Sequence, residues 1–293
     1  MADRPLLFYD SGAGGLPYLA AARQRLPGRR LIYLADRKYF PFGEKPAELL
    51  RTLVIESVSL AVARFDPALI VIACNTASVV ALEALRERFS APFVGVVPAV
   101  KPAAGCLREG RIAVVATRQT ASGAYLDRLI QDFAPGREVI RVAVARLVEL
   151  AEYGYFEVGD REKRALVAEE LKALQADAVQ AVVLGCTHFV LLEREFRSVL
   201  PQGTMLVDSR EGVTNRIVSL LEQQRPDKSG VECRKDADRT GRGRESGEAD
   251  RRAGPVFPAE LYLHGGRADV ERYRLFARTF DLRFCGFLEE GTA

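Results

Sequence analysis

Short, continuously apolar runs alternate along this chain with stretches of helical spacing, and this alternation limits the fold more than any other feature. Residues 6–9, 31–34, 69–73, 93–97, 112–115, 139–142, 181–184 and 205–207 are dominated by aliphatic and aromatic side chains. They lack the in-out rhythm of a strand with one face in water, so each reads as a strand covered on both sides. The segments between them, for example 47–65 and 211–224, carry helical patterns. Parallel strands need a crossover long enough to hold a helix, so this alternation predicts an α/β protein with doubly wound parallel sheets. Further on, 260–264 reads as a strand, 267–280 as a helix and 282–287 as a short extended piece. With 293 residues, 48% of them hydrophobic, the chain can build two such domains of ordinary size.

One stretch departs from the alternation. From 225 to 255 nearly every second residue is charged, with Gly, Ser and Asp between and few large apolar side chains. Such a segment buries too little surface to offset its chain entropy, so it is expected to be a mobile insertion. Its charges are of mixed sign, which favours a solvated loop over a nucleic-acid-binding arm. The whole chain balances 42 basic against 39 acidic residues, a net charge of +3. That leaves no electrostatic footprint for nucleic acid or an anionic membrane. No apolar run approaches the roughly 20 residues a membrane helix needs, and the first residues do not resemble a secretory signal. Cysteines stand at 74, 106, 186, 233 and 285 with no CxxC pair. Neither a disulfide framework nor a metal site is expected from them, and a reducing cytoplasm is the natural setting.

A local pattern occurs twice. Residues 68–76 form an apolar run that ends in Cys74-Asn75-Thr76, and residues 178–188 form another that ends in Cys186-Thr187-His188. Each leads into a helical stretch, with Leu82, Leu85 and Phe89 on one stripe after the first cysteine. Phe189, Leu192, Phe196 and Val199 follow the second. Another strand comes some twenty residues later in both cases. Each cysteine is therefore expected at the carboxyl end of a parallel strand, where open α/β sheets bind ligands. Each should also start a helix, whose dipole favours a thiolate and attracts a carboxylate. A buried cysteine is often a small core residue. Two in matching contexts instead suggest a two-sided acid/base machine, since a thiol titrates near working pH and suits both roles.

Three further positions bear on this chemistry. Asp10-Ser11 follows the first apolar run and opens the turn Gly12-Ala13-Gly14-Gly15. Glycines there allow close backbone approach and free N–H groups for a carboxylate, and Asp10 would be costly to bury without a partner. His188, one of two histidines in the chain, should lie where imidazolium is disfavoured, so a neutral ring could relay a proton to or from Cys186.

Over nearly its whole length apart from the charged insertion, the chain resembles the glutamate racemase family. The matching motifs are Asp10-Ser-Gly-Ala-Gly-Gly15, the run from Asp36 to Gly43, Ala73-Cys-Asn-Thr-Ala77 and Gly95-Val-Val-Pro-Ala-Val-Lys-Pro102. Ala116-Thr-Arg-Gln-Thr120, Leu147-Val-Glu-Leu-Ala-Glu152 and Gly185-Cys-Thr-His-Phe189 follow in the same order. The resemblance implies cofactor-independent racemisation of L- and D-glutamate. Cys74 would act on the D- and Cys186 on the L-enantiomer, with Asp10, Glu152 and His188 assisting. Substrate contacts would come from Asp10, Ser11, Phe42, Gly43, Asn75, Thr76, Thr120, Thr187 and His188. It also implies two similar α/β domains, 1–97 plus 214–293 and 98–213, with the active site in the cleft between them. A cytoplasmic homodimer supplying D-glutamate for peptidoglycan is implied as well, as is activation by a peptidoglycan precursor through the 95–102 motif. The family usually has Tyr where Phe42 stands, so a phenolic hydroxyl is missing here, and Arg210 stands where glycine is common.

Other readings use the same residues differently. A related amino-acid or hydantoin racemase, or a decarboxylase of the same plan, would share the architecture, although a decarboxylase needs only one of the thiols. A nucleotide- or phosphate-binding protein could use residues 10–15, but neither GxxxxGK[ST] nor GxGxxG is satisfied. A Cys-His hydrolase built on Cys186 and His188 would leave Cys74 unexplained.

Overall fold

The computed structural model of the chain describes residues 4–176, 179–224 and 258–289. The insertion expected at 225–255 lies outside the described residues. Among these, ten strands form two sheets in which every pairing is parallel. The strands are β1 (Leu6–Asp10), β2 (Leu31–Asp36), β3 (Leu69–Ile72), β4 (Phe93–Gly95), β5 (Ile112–Ala116), β6 (Val139–Ala143), β7 (Ala181–Leu184), β8 (Met205–Val207), β9 (Ala259–His264) and β10 (Leu282–Phe287). The first sheet has the order β10-β9-β2-β1-β3-β4 and the second β6-β5-β7-β8. The molecule thus has two parallel-sheet α/β domains, as the alternation of apolar runs predicts.

Continuous apolarity has the expected cause. Successive residues of a strand point to opposite faces, and both faces of β1 are buried. Leu6 and Phe8 join one core and Leu7 and Tyr9 another. In β5, Ala113 and Val115 share the core of Leu6 and Phe8, whereas Ile112, Val114 and Ala116 pack into a third. One apolar core therefore runs from the first sheet into the second. The long helix Ala47–Phe65 packs against the helix Asn75–Arg88. The helix Arg210–Gln223 returns the chain to the first sheet by packing on the helix Leu16–Arg25.

Two local readings need correction. β6 and β8 were expected to be covered on both faces, but both are edge strands and only partly buried. Arg141 of β6 reaches out to Asp127 at 2.6 Å. The helix expected after Cys186 is two pieces, Thr187–Val190 and Glu193–Val199, broken at Leu191 and Leu192. Phe189, Leu192 and Phe196 are all buried in spite of the break.

The glycine turn after β1 is braced from β2. The Tyr33 hydroxyl donates to the Gly12 carbonyl at 2.7 Å and accepts from the Gly15 N–H at 3.0 Å. All three groups are buried, so each needs its partner. Tyr33→Phe keeps the ring but strands one carbonyl and one N–H, and it should cost about 1–3 kcal/mol. Urea denaturation measures this; an unchanged midpoint would show that the turn holds its shape without the hydroxyl.

Candidate active site

Because the strands within each sheet run the same way, their carboxyl ends gather on one side, and the turns that follow face a single cavity of about 600 Å³. Cys74 begins the helix that follows β3 and Cys186 the short helix that follows β7. Each is only 6% exposed, and both line this cavity. Ser11, Phe42, Gly43, Thr76 and His188 also form its wall. Asp10, Asn75, Thr120, Glu152 and Thr187 do not reach it. They stand behind the wall, each at most 2% exposed.

The residues behind the wall orient those in front. Asp10 accepts hydrogen bonds from the Gly12 N–H at 2.9 Å, Thr187 Oγ1 at 3.0 Å and Ser11 Oγ at 3.2 Å. Ser11 Oγ in turn lies 4.0 Å from Cys74 Sγ. Burial raises the Asp10 carboxyl to about 6, against the pull of His188 and of the Gly12 and Thr187 donors. Thr76, Thr117 and Thr120 form a ring of hydroxyls 3.2–3.4 Å apart that joins the helix after Cys74 to the segment after β5.

The second thiol has a different neighbour. His188 Nδ1 lies 4.0 Å from Cys186 Sγ, and its Nε2 lies 3.0 Å from Glu152 Oε2. Glu152 is wholly buried. Its Oε2 also accepts from the Ala13 N–H at 2.8 Å, and its Oε1 from the Tyr273 hydroxyl at 2.6 Å. Arg37 Nη1 sits 3.2 Å from Oε1. Burial alone would raise this carboxyl, but His188 and Arg37 outweigh it and hold it at about 2. Burial alone would lower His188, yet Cys186 and Glu152 raise it to about 10. His188 is therefore an imidazolium at neutral pH, not the neutral ring expected from its place at a helix start. That helix has only four residues, and a full carboxylate at hydrogen-bond distance dominates its small dipole.

Cys74 also departs from expectation. Its helix was expected to favour the thiolate, but burial and then the charge of Asp10 push the thiol well above its usual range. The nearby Ala77 N–H opposes this and loses. In the ligand-free protein Cys74 is thus a protonated acid.

Close approach explains two glycines. A Cβ on Gly12 would overlap the Glu152 carboxylate and come within 2.8 Å of His188 Nε2. One on Gly14 would lie 2.6 Å from the His188 backbone nitrogen. The turn after β1 is pressed directly onto the Glu152–His188 pair from the other sheet, and only glycine fits. Phe42 is buried in the cavity wall with its ring beside Tyr9, 6.3 Å between centroids. Gly43 sits beside Thr117.

Sequence reasoning passed over Arg37, Phe40, Tyr153 and Tyr273, which surround Glu152 and His188. Arg37 and Phe40 lie inside the 36–43 motif, so only their role was hidden. Tyr273 had no signal beyond its place in a helical pattern. Thr117, Arg118 and Glu149, also in the cavity wall, lie inside quoted motifs as well. Among the described residues no group of three or more His, Cys, Asp or Glu side chains is placed to hold a metal ion. No described helix is long and apolar enough to cross a membrane.

Comparison with known proteins agrees with this geometry. Residues 19–238 match the family model for Asp/Glu/hydantoin racemases. The glutamate racemase of Klebsiella pneumoniae is 44% identical over 224 residues, 76% of this chain and 78% of that protein. The enzyme of Pectobacterium atrosepticum is 42% identical over 228 residues, 75% and 78% respectively. The crystal structure of Escherichia coli glutamate racemase, in complex with L-glutamate and the activator UDP-MurNAc-Ala, superimposes with a TM-score of 0.81. It is 33% identical and covers 97% of this chain and 98% of that one. With two parallel-sheet domains, a shared cavity between strand ends and relatives of this closeness, the chain is an amino-acid racemase and belongs to the Asp/Glu/hydantoin racemase family.

Proposed function

We propose that the chain interconverts L- and D-glutamate without a cofactor, using Cys186 and Cys74 as acid and base on opposite faces of the α-carbon. The observation that carries this reading is that both thiols line one cavity, each at the carboxyl end of its own sheet. The glutamate racemases among its relatives supply the substrate.

In the direction from L to D, the Cys186 thiolate takes the α-proton, forming an S–H bond while the C–H electron pair remains on the α-carbon. The Cys74 thiol then delivers its proton to the other face and is left as thiolate. The reverse direction exchanges the roles. The resting charges favour starting from the L-enantiomer, since Cys74 is held protonated beside Asp10 and the cation of His188 faces Cys186. Ser11 and Thr76 in the cavity wall, with backbone N–H groups at the helix starts, hold the carboxylates and ammonium, while Asn75, Thr120 and Thr187 support them from behind. Phe42 and Gly43 close the wall beside them. Ser11, aligned by Asp10, orients Cys74, while His188, held by Glu152, serves Cys186. Enclosure in a pocket of this size excludes water and strengthens the fixed dipoles that meet the developing negative charge.

The product would serve as the D-glutamate of peptidoglycan, made in the cytoplasm by a homodimer. The UDP-MurNAc-Ala bound as activator by the Escherichia coli relative makes a UDP-linked precursor the natural regulator to titrate.

Racemisation is measured by polarimetry, and α-hydrogen exchange by mass in heavy water. Cys74→Ala and Cys186→Ala should each lower interconversion by at least about 10²-fold, the range for losing a general acid or base. Full activity in either variant would end the two-thiol mechanism. The Glu152–His188 pair also makes a prediction about stability. Glu152 titrates lower in the folded protein than its ordinary 4.5, so its contribution is present above that value and is lost as pH falls through about 2. His188 titrates higher than its ordinary 6.5, so its contribution is present below that and is lost as pH rises through about 10. Denaturation followed across that alkaline range should show a smaller decline in His188→Asn than in the natural chain. Equal declines would show that His188 is not the group titrating.

A further inference from the structure

Arg37 follows β2 in the first domain, yet its side chain, 2% exposed, reaches across to Glu152 and Tyr153 of the second. Nη1 lies 3.2 Å from Glu152 Oε1 as an ion pair without hydrogen-bond alignment. Nη2 donates to the Tyr153 hydroxyl at 2.9 Å and Nε to Asp269 Oδ2 at 3.0 Å. The guanidinium carbon sits over the Phe40 ring, 3.9 Å from its centroid, and the same ring is 6.1 Å from that of His188. Asp269 is itself held by Arg272 at 2.5 Å. A rigid planar cation fixed at three edges and one face cannot turn away from Glu152, which a lysine on a flexible stem could do.

We propose that Arg37 is a positioning residue for the Cys186 half of the reaction, fixing and neutralising Glu152 so that His188 can release its proton as well as hold it. This rests on the proposed two-thiol reading. The groups facing His188 are Cys186 on its own segment, Glu152 from the helix Arg146–Glu152 and Asp10 after β1, with Arg37 and Tyr273 behind Glu152. Two carboxylates and a thiolate facing one imidazole would trap it as imidazolium. Arg37 supplies the cation that balances Glu152, so a proton can pass between His188 and Cys186 in either direction. Its removal leaves Glu152 with only Tyr273, Ala13 and His188 as partners. The imidazolium is then bound more tightly and is a poorer acid.

The test uses Arg37→Gln, Arg37→Lys and Asp269→Asn in the full chain, with two readouts. The first is the primary isotope effect on kcat/KM for α-deuterated L- and D-glutamate. Racemic product fixes the ratio of kcat/KM in the two directions, but each isotope effect still reports its own proton-removal step. Arg37→Gln should lower kcat on the order of 10- to 100-fold. It should raise the isotope effect for the enantiomer whose proton Cys186 removes and lower it for the other. Arg37→Lys should fall between Arg37→Gln and the natural chain, and Asp269→Asn should show a smaller split of the same sign. The second readout is the NMR titration of His188 in the ligand-free protein, readily assigned because the chain has two histidines. It should move to higher pH in Arg37→Gln. Isotope effects that stay equal or change together, with an unmoved His188 titration, overturn the proposal. If Arg37→Gln does not fold, the same result in Asp269→Asn overturns it. A natural chain that neither racemises glutamate nor exchanges its α-hydrogen sinks the two-thiol reading instead, and the His188 titration still decides what Arg37 does.

Discussion

A single carboxylate buried between two sheets sets the terms for the rest of the molecule. Glu152 belongs to a helix of the second domain and is wholly buried. Three of its partners, the Ala13 N–H, the Tyr273 hydroxyl and Arg37, come from the first. Only His188 comes from its own side. An ionised carboxylate out of water is tolerable only when its lone pairs are met and its charge balanced. The two domains must therefore dock in a register that brings all these donors to one point. That requirement fixes the cleft at the strand ends and the distance across it.

Several otherwise arbitrary features follow from this docking. The turn after β1 approaches Glu152 and His188 so closely that a side chain at Gly12 or Gly14 would collide with them. Tyr33 braces that turn from β2, while a continuous apolar core, from Phe8 to Val115, joins the sheets beneath it. The apolar core supplies non-directional adhesion; the polar cluster above it adds directional bonds that fix register. In a two-domain protein whose cavity is lined from both sheets, register is what keeps both thiols in it.

The sheets were legible in the sequence because parallel strands buried on both faces leave an uninterrupted apolar run, which helices between them do not imitate. All ten apolar or extended runs became strands. β6 and β8 deceived only in their burial, since Val139, Ile140 and Val142, like Met205, Leu206 and Val207, read as core although each strand lies at a sheet edge. The break at Leu191 and Leu192 was invisible because Phe189, Leu192 and Phe196 are buried whether or not the helix is continuous. Both cysteines could be placed by their position after a strand. What could not be read was charge. A rule about helix dipoles speaks only of the local segment, and it failed for Cys74 and His188 because Asp10 and Glu152 arrive from distant parts of the chain. Arg37, Phe40, Tyr153 and Tyr273 were hidden for the same reason: no spacing connects residue 37 to residue 152.

These electrostatics leave the two thiols unequal, and the inequality has a limit. Cys74 faces the anion of Asp10 through Ser11, while Cys186 faces the cation of His188. On the proposed mechanism each thiol must act once as acid and once as base, and the two substrates are mirror images of equal free energy. Unequal thiols therefore cannot favour one product at equilibrium. They can only set which protonation form the protein rests in and how the barrier is divided between the two proton transfers. A site with Cys74 protonated is ready for the L-enantiomer, and after each L-to-D turnover the proton must move from Cys186 back to Cys74. His188, next to Cys186, can take up such a proton only after its ring has given up its own, so the charge around Glu152 must not hold the imidazolium too tightly. The balance among Glu152, His188 and Arg37 thus bears on resetting the site as much as on the chemistry itself.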